Sequence, residues 1–255
     1  MIRLGPSGVG GIAEASENIK QYKKLGFSAA EIAFTYGVYI KNNKDAKKIG
    51  DAAKNAGISL SIHAPYYINL ASAEKKKIEA SKKRILNSCE KAHYLGAKYV
   101  VFHAGFYGKR TADETYDVVK KSILDMQKII KEKRWNVQLA PETTGKRSQF
   151  GSLDELLRLR KETKCFLCID FAHLMAREGK IDYDDVFKKL KSLKHIHAHF
   201  SGIEFTAKGE RRHLVTSLSK IKELFEYIKK YKVDITIINE SPDSIGDSVK
   251  MLKSA

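Results

Sequence analysis

Ser61-Ile62-His63-Ala64-Pro65-Tyr66-Tyr67-Ile68-Asn69-Leu70 begins as a strand and ends as a loop. Apolar and small polar residues alternate over 58–62, which is typical of a strand. His63 stands where this strand ends, because Pro65 cannot continue a hydrogen-bonded ladder. A strand-end histidine beside two loop tyrosines indicates either a metal ligand next to a stacking surface, or a core histidine beside packing tyrosines. The other strand ends decide between the two.

Short apolar runs of this kind alternate with longer helical patterns along all 255 residues. The predicted strands are Ile2–Leu4, Ala30–Phe34, Ser59–His63, Tyr99–His103, Asn136–Glu142, Phe166–Asp170, His195–Phe200 and Asp234–Glu240. Helices are predicted near 11–26, 43–56, 73–95, 112–133, 152–163, 182–193, 216–231 and 243–253.

Eightfold strand–helix alternation, without a linker rich in Pro, Gly or Ser, predicts an α/β fold: a (β/α)8 TIM barrel forming a single domain over residues 1–255. A doubly wound open sheet is the alternative. It is disfavoured because the first strand-to-helix turn, Pro6-Ser7-Gly8-Val9-Gly10-Gly11, does not keep the glycine spacing of dinucleotide-binding proteins.

The composition is that of a globular and strongly cationic protein. Hydrophobic residues make up 43% of the chain, charged residues 30%, and the formal net charge is +17. This balance favours polyanionic partners, nucleic acid first, although a lysine-rich solvated exterior is the alternative. No secretory signal or membrane span is expected, so the cytoplasm is the predicted location and no membrane is a partner. A monomer without an obligate protein partner is the default expectation.

The three cysteines, Cys89, Cys165 and Cys168, are too few for a disulfide framework and fit a reducing compartment. The spacing of Cys165 and Cys168 is that of a metal knuckle. In a strand, however, positions i and i+3 face opposite sides, so both are expected to be packing residues.

A TIM barrel carries its chemistry at the C-terminal ends of its strands. Seven of the eight histidines are predicted to lie at that end, the exception being His93 within the third helix. The strand-end and loop donors are His63, His103, Glu142, Asp170, His173, His195, His197, His199, Glu210, His213 and Glu240. So many donors at one mouth predict two or three divalent ions. Imidazole with carboxylate favours zinc or manganese, and such clusters suit phosphodiester hydrolysis.

At these motifs the chain resembles the endonuclease IV family of apurinic endonucleases, over nearly its whole length. The order and spacing of the motifs carry the resemblance. They are His63-Ala-Pro-Tyr66-Tyr67-Ile-Asn69-Leu, Val101-Phe-His103-Ala-Gly105, Leu139-Ala-Pro-Glu142-Thr-Thr-Gly145, Cys168-Ile-Asp170-Phe-Ala-His173 and Glu240-Ser-Pro242.

The resemblance implies a three-zinc enzyme that cuts double-stranded DNA on the 5′ side of an abasic site, with repair of blocked 3′ ends as an extension. His63, His103 and Glu142 would hold the first ion, and His173 and His213 the third. The ligands implied for the second ion are Glu142, Asp170, His199 and Glu240. Glu142 and Asp170 are the implied catalytic residues, because they would fix the pair of ions. Manganese is the alternative metal.

The resemblance also implies how DNA is held. Tyr66 corresponds to the family's tyrosine that enters the DNA near the abasic gap, and Tyr67 to its neighbour. The loops at the predicted active face carry Lys109, Arg110, Lys146, Arg147, Arg177, Lys208, Arg211 and Arg212. Such cations suit a phosphate backbone, and Lys146, Arg147, Arg211 and Arg212 are the predicted DNA contacts. Ordinary exposed loop cations are the alternative.

Three departures from the family pattern leave alternatives open. The family's third-metal aspartate falls on Arg211, so either the loop slips by one residue and Glu210 is the ligand, or the third site is weak. Strand seven offers three histidines on one face, of which His199 is chosen as nearest the strand end and His197 is the runner-up. The family's basic loop after strand two is replaced by Phe34-Thr35-Tyr36-Gly37-Val38-Tyr39, so the duplex is opened in a different way.

Two other functions compete with the nuclease. A sugar isomerase or epimerase of the xylose-isomerase-like superfamily would use Glu142, Asp170, His199 and Glu240 as a single metal site. A DNA-binding protein that has lost catalysis would bind abasic DNA without cutting it. Metal content separates the first alternative from the nuclease, and incision of abasic DNA separates the second.

Overall fold

Eight parallel strands close into a barrel in the computed structural model, which describes residues 1–255. Around the barrel they run β1 (Ile2–Pro6), β2 (Ala29–Ala33), β3 (Ser59–His63), β4 (Tyr99–Phe102), β6 (Gln138–Pro141), β8 (Cys168–Asp170), β9 (Ile196–Phe200) and β12 (Ile235–Asn239). The predicted (β/α)8 TIM barrel is therefore confirmed. The predicted strands all exist, with ends that differ by up to two residues.

The barrel consists of two half-sheets, β2-β3-β4-β6 and β1-β12-β9-β8, that meet at two seams. One parallel bridge, Ser7 to Glu31, joins β1 to β2 at the first seam. Another, Glu142 to Cys168, joins the end of β6 to β8 at the second. Both seams therefore include an acidic side chain that belongs to the interior of the barrel.

Nine helices surround the barrel. They are α1 (Ile12–Lys24), α2 (Asn43–Ala56), α3 (Lys75–Leu95), α4 (Ala112–Glu132), α5 (Leu153–Thr163), α6 (Phe171–Glu178), α7 (Tyr183–Leu190), α8 (Leu218–Tyr231) and α9 (Ser244–Leu252). The sequence did not predict α6, which begins immediately after β8 because the Asp170 side chain caps it, accepting a hydrogen bond from the His173 amide at 2.8 Å. None of the helices is long and apolar enough to cross a bilayer.

Two short antiparallel pairs extend above the barrel mouth, in regions where the sequence predicted loops. The pair β10 (Gly202–Thr206) and β11 (Gly209–Leu214) follows β9, and β5 (Gly105–Phe106) pairs with β7 (Gln149–Phe150). The β10–β11 hairpin packs on the loop after β6, where the Glu210 amide donates to the Gly145 carbonyl at 2.9 Å. The hairpin thereby brings β11 side chains to the mouth.

The apolar core lies mainly between the barrel and its helices, and the barrel interior is partly polar. Successive side chains of β2 face opposite sides of the barrel wall. Ile32 faces outward and packs in the large apolar cluster, whereas Glu31 faces the barrel interior, and both are fully buried. Ser61, His197 and Thr236 are further buried polar residues of barrel strands. A TIM-barrel interior is normally filled by bulky apolar residues, so these polar groups require internal partners.

Candidate metal centre

Glu142 lies at the centre of the barrel mouth, one residue after β6, and is fully buried. Its Oε2 lies 3.0 Å from His63 Nε2 and 2.9 Å from His103 Nε2, while its Oε1 lies 3.0 Å from His199 Nδ1. These three imidazoles arrive from the ends of β3, β4 and β9. The barrel thus brings together the donors predicted for the first ion, His63, His103 and Glu142.

The residues predicted for the second ion are also close together. One ligand atom from each of Glu142, Asp170, His199 and Glu240 lies within 4.8 Å of the others. His199 Nδ1 lies 3.4 Å from Glu240 Oε1, so this nitrogen faces carboxylates from two strands. The structure brings His199 to this group, whereas His197 contacts Glu31 deeper in the barrel, at 3.3 Å from Nε2 to Oε2.

A β-bulge in the β10–β11 hairpin determines which residues reach the third group. Glu204 is opposite Arg212 and Phe205 is opposite Glu210, so Arg211 is the extra residue. Both arginines form ion pairs with Glu204: Arg211 Nη1 lies 2.8 Å from Oε1, and Arg212 Nε lies 2.6 Å from Oε2. The bulge turns Arg211 away from the mouth, and whether Glu210 serves as a ligand in its place stays a prediction.

The bulge brings the Glu210 carboxylate close to two residues of the third group. Glu210 Oε2 lies 3.4 Å from His173 Nε2, and Oε1 lies 3.8 Å from His213 Nε2. Asp170, His173 and His213 themselves form a compact donor group. Gly145 is needed beside them, because a Cβ at that position would lie 2.6 Å from the Glu210 Cβ.

The donor atoms fit metal ions better than they fit one another. His103 Nε2, Asp170 Oδ2 and His173 Nε2 are buried without a hydrogen bond, although a potential partner lies within 3.4 Å of each. Buried polar atoms are normally hydrogen-bonded, so such orphaned atoms require another partner. Imidazole and carboxylate atoms converging in this way suit a divalent ion of the zinc or manganese type.

The electrostatics of the mouth favour positive charge. Burial lowers the pKa of His63, but the Glu142 and Glu240 carboxylates outweigh it and raise the pKa to about 9. The pKa values of His173 and His199 are also raised against the effect of burial, because carboxylates surround both rings. Metal ions would supply this positive charge in place of the protons.

The predicted DNA contacts lie around this mouth. Tyr66 and Tyr67 are each 62% exposed in the loop after β3, and the Tyr66 ring lies 5.8 Å from the His63 ring. Lys146 and Arg147 are exposed in the loop after β6. Arg147 also donates through Nε to the Arg177 carbonyl at 2.8 Å.

One rim cation was wrongly placed by the sequence analysis. Arg177 is not an exposed loop cation but 7% exposed, at the end of α6. Its guanidinium donates to the carbonyls of Lys146 and Gln149 at 2.7 and 2.9 Å, so it shapes the loop after β6. Its charge is used for these internal hydrogen bonds.

The prediction that seven histidines share one end of the barrel was also wrong. His195 precedes β9 at the opposite end, where its Nδ1 lies 3.1 Å from Asp234 Oδ2. His197 lies between the two ends, because alternate residues of one strand point inward at successive depths. Sequence alternation identified the inward face but not the depth along it.

Glu31 is the buried acid that the sequence analysis missed. It contacts both His197 and His199 inside the barrel. The signal was present as a single acidic residue within the apolar run 29–34.

Comparison with known proteins gives a family match and several relatives. The family described as xylose isomerase-like TIM barrel matches residues 19–255. An uncharacterized protein of Methanocaldococcus jannaschii is 36% identical over 267 aligned positions, covering 99% of this chain and 96% of that protein. A protein of Mycoplasmopsis pulmonis named "Probable endonuclease 4" is 33% identical over 59% of this chain, and the match spans 57% of that relative.

Solved structures of two functional classes share the fold. A D-tagatose 3-epimerase-like protein superposes with a TM-score of 0.75 and 20% identity, covering 98% of this chain and 94% of that chain. Endonuclease IV from Thermus thermophilus superposes with a TM-score of 0.66 and 19% identity, covering 99% and 97%. The resemblance to endonuclease IV noted in the motifs is confirmed by these relatives, while the fold alone does not separate the two classes.

Proposed function

Because the chain belongs to the xylose isomerase-like TIM barrel family, we propose that it is a DNA-repair endonuclease of the endonuclease IV type. It would hydrolyse the phosphodiester bond 5′ to an abasic site in double-stranded DNA and leave a 3′-hydroxyl. Removal of blocked 3′ ends would follow from the same bond cleavage. Its place of work would be the cytoplasm, at the chromosomal DNA.

One observation carries this proposal: the mouth holds three donor groups, not one. A single-ion sugar isomerase needs only the group of Glu142, Asp170, His199 and Glu240. The groups built on His63 with His103, and on His173 with His213, have no use in such an enzyme. Phosphodiester hydrolysis uses additional ions, because both the attacking and the departing oxygen carry negative charge.

The residues that would hold the ions also set their spacing. Glu142 belongs to the first and second donor groups, and Asp170 to the second and third. Each is fully buried, so neither carboxylate can swing away from the mouth. We therefore assign Glu142 and Asp170 as the catalytic carboxylates. When bound, two or three zinc ions would supply an activated water and positive charge opposite the phosphate; manganese is the alternative metal.

The rim supplies two kinds of DNA contact. Tyr66 and Tyr67 present aromatic faces on which bases stack, beside the gap left by a missing base. Lys146 and Arg147 follow Gly145 in the loop after β6, and the Gly145–Lys146 backbone packs against Gly209 of the hairpin that carries Arg211 and Arg212. The pairs that Arg211 and Arg212 form with Glu204 are exposed, and exposed pairs are weak enough for phosphates to replace the partner.

A duplex that carries one tetrahydrofuran abasic analogue tests the proposal. The zinc-loaded protein is expected to cut it on the 5′ side, to leave an end that a polymerase extends, and to lose this activity with a chelator. His103→Asn removes a donor of the first group only, and incision is expected to fall at least about 100-fold. His93→Asn is the matched control, because His93 lies near the end of α3, outside the mouth, where its ring accepts a hydrogen bond from the Asn136 amide.

No incision with any divalent metal would overturn the nuclease. Binding of the abasic duplex without cleavage would then identify a DNA-binding protein that has lost catalysis.

A sugar isomerase or epimerase is the second candidate, favoured by the structural similarity to an epimerase-like protein and by the complete second donor group. It predicts about one ion per chain, and turnover of ketoses that His103→Asn does not affect. The nuclease predicts two or three ions. Metal analysis of the purified protein after dialysis decides between them before any substrate is chosen.

A further inference from the structure

Glu31, the middle residue of β2, is a fully buried acid inside the barrel. Its neighbour in register on β3 is Ser61, and its backbone carbonyl accepts from the Gly8 amide at the seam with β1. Its ion-pair partners are histidines, and no lysine or arginine pairs with it. A charged carboxylate in such a place is costly unless other groups compensate for the lost water.

Three groups compensate for it. The Ser61 hydroxyl donates to Glu31 Oε2 at 2.7 Å, and His197 Nε2 lies 3.3 Å from the same oxygen. The other oxygen, Oε1, lies 3.0 Å from His199 Nε2, a charge contact in which neither atom meets hydrogen-bond geometry. The acid therefore stands between two imidazoles of β9 and contacts a ring nitrogen of each.

The two nitrogens of His199 face opposite surroundings. Nε2 faces Glu31, whereas Nδ1 faces the Glu142 and Glu240 carboxylates in the second donor group. A neutral imidazole has one N–H donor and one lone pair, and an ionised carboxylate accepts only. A metal ion among the Glu142 and Glu240 carboxylates would take the Nδ1 lone pair, so the single ring proton would then lie on Nε2, which faces the Glu31 carboxylate.

We propose that Glu31 is a positioning residue that fixes the tautomer and ring orientation of His199, so that Nδ1 binds a metal ion of the second donor group. The inference rests on the proposed use of His199 as a ligand. It holds for the nuclease and for the sugar enzyme alike, since both use that group. Carboxylates behind metal-bound histidines raise ligand basicity and hold the ring in place.

A competing use of the same atoms is a separate metal site. Cys168, His197 and His199 also bring donor atoms together within 4.8 Å inside the barrel. That site would compete with the second donor group for His199, which belongs to both. It would also need the thiolate of Cys168, whose pKa burial raises far above its ordinary value.

Zinc affinity of the Glu31→Gln variant tests the proposal. Gln keeps the shape but presents one carbonyl oxygen and one NH2 group to the two imidazoles. Competition with a chromophoric chelator is expected to show one ion bound about 10- to 100-fold more weakly, with the remaining ions unchanged. Ser61→Ala is the matched control, because it removes a hydrogen bond to Glu31 without altering either histidine contact, and its zinc affinity is expected to stay within about threefold of wild type.

A spectroscopic readout separates positioning from a purely structural role. Two-bond ¹H–¹⁵N spectra of histidine-labelled, zinc-loaded protein are expected to show His199 protonated at Nε2 in wild type, with that signature lost or broadened in Glu31→Gln. If Glu31→Gln fails to fold, Glu31→Asp replaces it, since it keeps the charge but withdraws the oxygens. Its zinc affinity is then expected to fall between those of wild type and His199→Ala.

Three results would overturn the proposal. They are wild-type zinc affinity in Glu31→Gln, an Nδ1-protonated His199 in the zinc-loaded wild type, and an additional ion that disappears in Cys168→Ser. The measurements use no DNA. A protein that never cuts abasic DNA therefore fails the proposed function without affecting this test.

Discussion

Glu142 shows how a single residue organises the mouth. It is fully buried, yet both of its oxygens lie at about 3 Å from imidazole nitrogens of three different strands. A buried acid with such partners stays ionised, and the pKa of Glu142 is held well below its ordinary range even though burial opposes the charge. The same acid keeps His63 protonated over a wider pH range than a free histidine.

The raised pKa of His63 makes the stability of the metal-free protein depend on pH. The folded-state pKa of about 9 exceeds the ordinary 6.5, so the protonated ring contributes its full stabilisation below about pH 6.5. This contribution is lost as the pH rises through 9. The melting temperature of metal-free protein is therefore expected to fall between about pH 6.5 and pH 9.5 by more in wild type than in His63→Gln, as measured by circular dichroism.

Equal pH profiles for the two proteins would contradict this assignment. With zinc present the trend is expected to reverse, because binding of the ion displaces the protons and becomes tighter as the pH rises.

The sequence identified strand-end donors better than donors within strands. His63, His103 and Glu142 were predictable because a barrel has one catalytic end and each stands where a strand stops. Glu31 was not, because a lone acid within an apolar run gives no sign of its partners. His197, one of those partners, is 166 residues away along the chain, and only closure of the barrel brings the two near.

At the scale of the element, the β10–β11 hairpin decides the third donor group. Without the bulge, strict alternation would place Arg211 and His213 on one face and Glu210 on the other. The extra residue at Arg211 puts Glu210 and His213 on the side of His173 instead. Sequence patterns could state the two possible registers but not choose between them, because the choice depends on packing against the loop after β6.

Substitution within this hairpin is expected to change metal content selectively. Glu210→Gln removes a charged oxygen from between His173 and His213, so the third ion is expected to bind about 10- to 100-fold more weakly. Equilibrium dialysis against buffered zinc measures this change. Glu204→Gln on the same hairpin is the control, since Glu204 pairs only with Arg211 and Arg212. Parallel losses in the two variants would mean that the hairpin as a whole, and not Glu210, supports the ion.

Strand β1 can lie beside β2 only because residue 5 has no side chain. A Cβ on Gly5 would lie 1.6 Å from the Ala29 carbonyl oxygen, a distance that forces the strands apart. Gly5→Ala is expected to destabilise the fold by about 3 kcal/mol, which lowers the melting temperature by roughly 6–12 °C. Gly11→Ala, whose Cβ would meet nothing nearer than 4.0 Å, is expected to cost less than about 1 kcal/mol.

At the scale of the whole molecule, the net charge is easily counted from the sequence, but the sequence does not show which part of the surface carries it. The net charge of +17 favours nucleic acid, but many of the lysines lie on helices and not in the loops of the mouth. Lys230 on α8, for example, pairs with Asp184 at 2.6 Å. Arg177 was assigned to the rim because of its position in the chain, and it instead forms internal hydrogen bonds.

Salt dependence of binding to the abasic duplex distinguishes rim cations from the rest. Four phosphate contacts, by Lys146, Arg147, Arg211 and Arg212, predict a slope of about −3 to −4 for log affinity against log salt concentration. Lys146→Ala is expected to reduce the slope by about 1, and Lys230→Ala to leave it unchanged. Fluorescence anisotropy at several salt concentrations measures both. An equal effect of the two substitutions would indicate that binding depends on overall charge.

The two seams of the barrel have a consequence for turnover of the protein in the cell. His63, His103 and Glu142 belong to one half-sheet, whereas Asp170, His199 and Glu240 belong to the other. An ion held jointly by Glu142 and by Asp170, His199 and Glu240 would connect the two half-sheets across the seam between β6 and β8. That seam has few backbone hydrogen bonds of its own. In metal-starved cells that connection would be missing, and amide exchange at Thr143, whose hydrogen bond to the Cys168 carbonyl crosses the seam, should accelerate. Zinc shortage would then shorten the lifetime of the polypeptide by exposing it to proteases, in addition to stopping its chemistry.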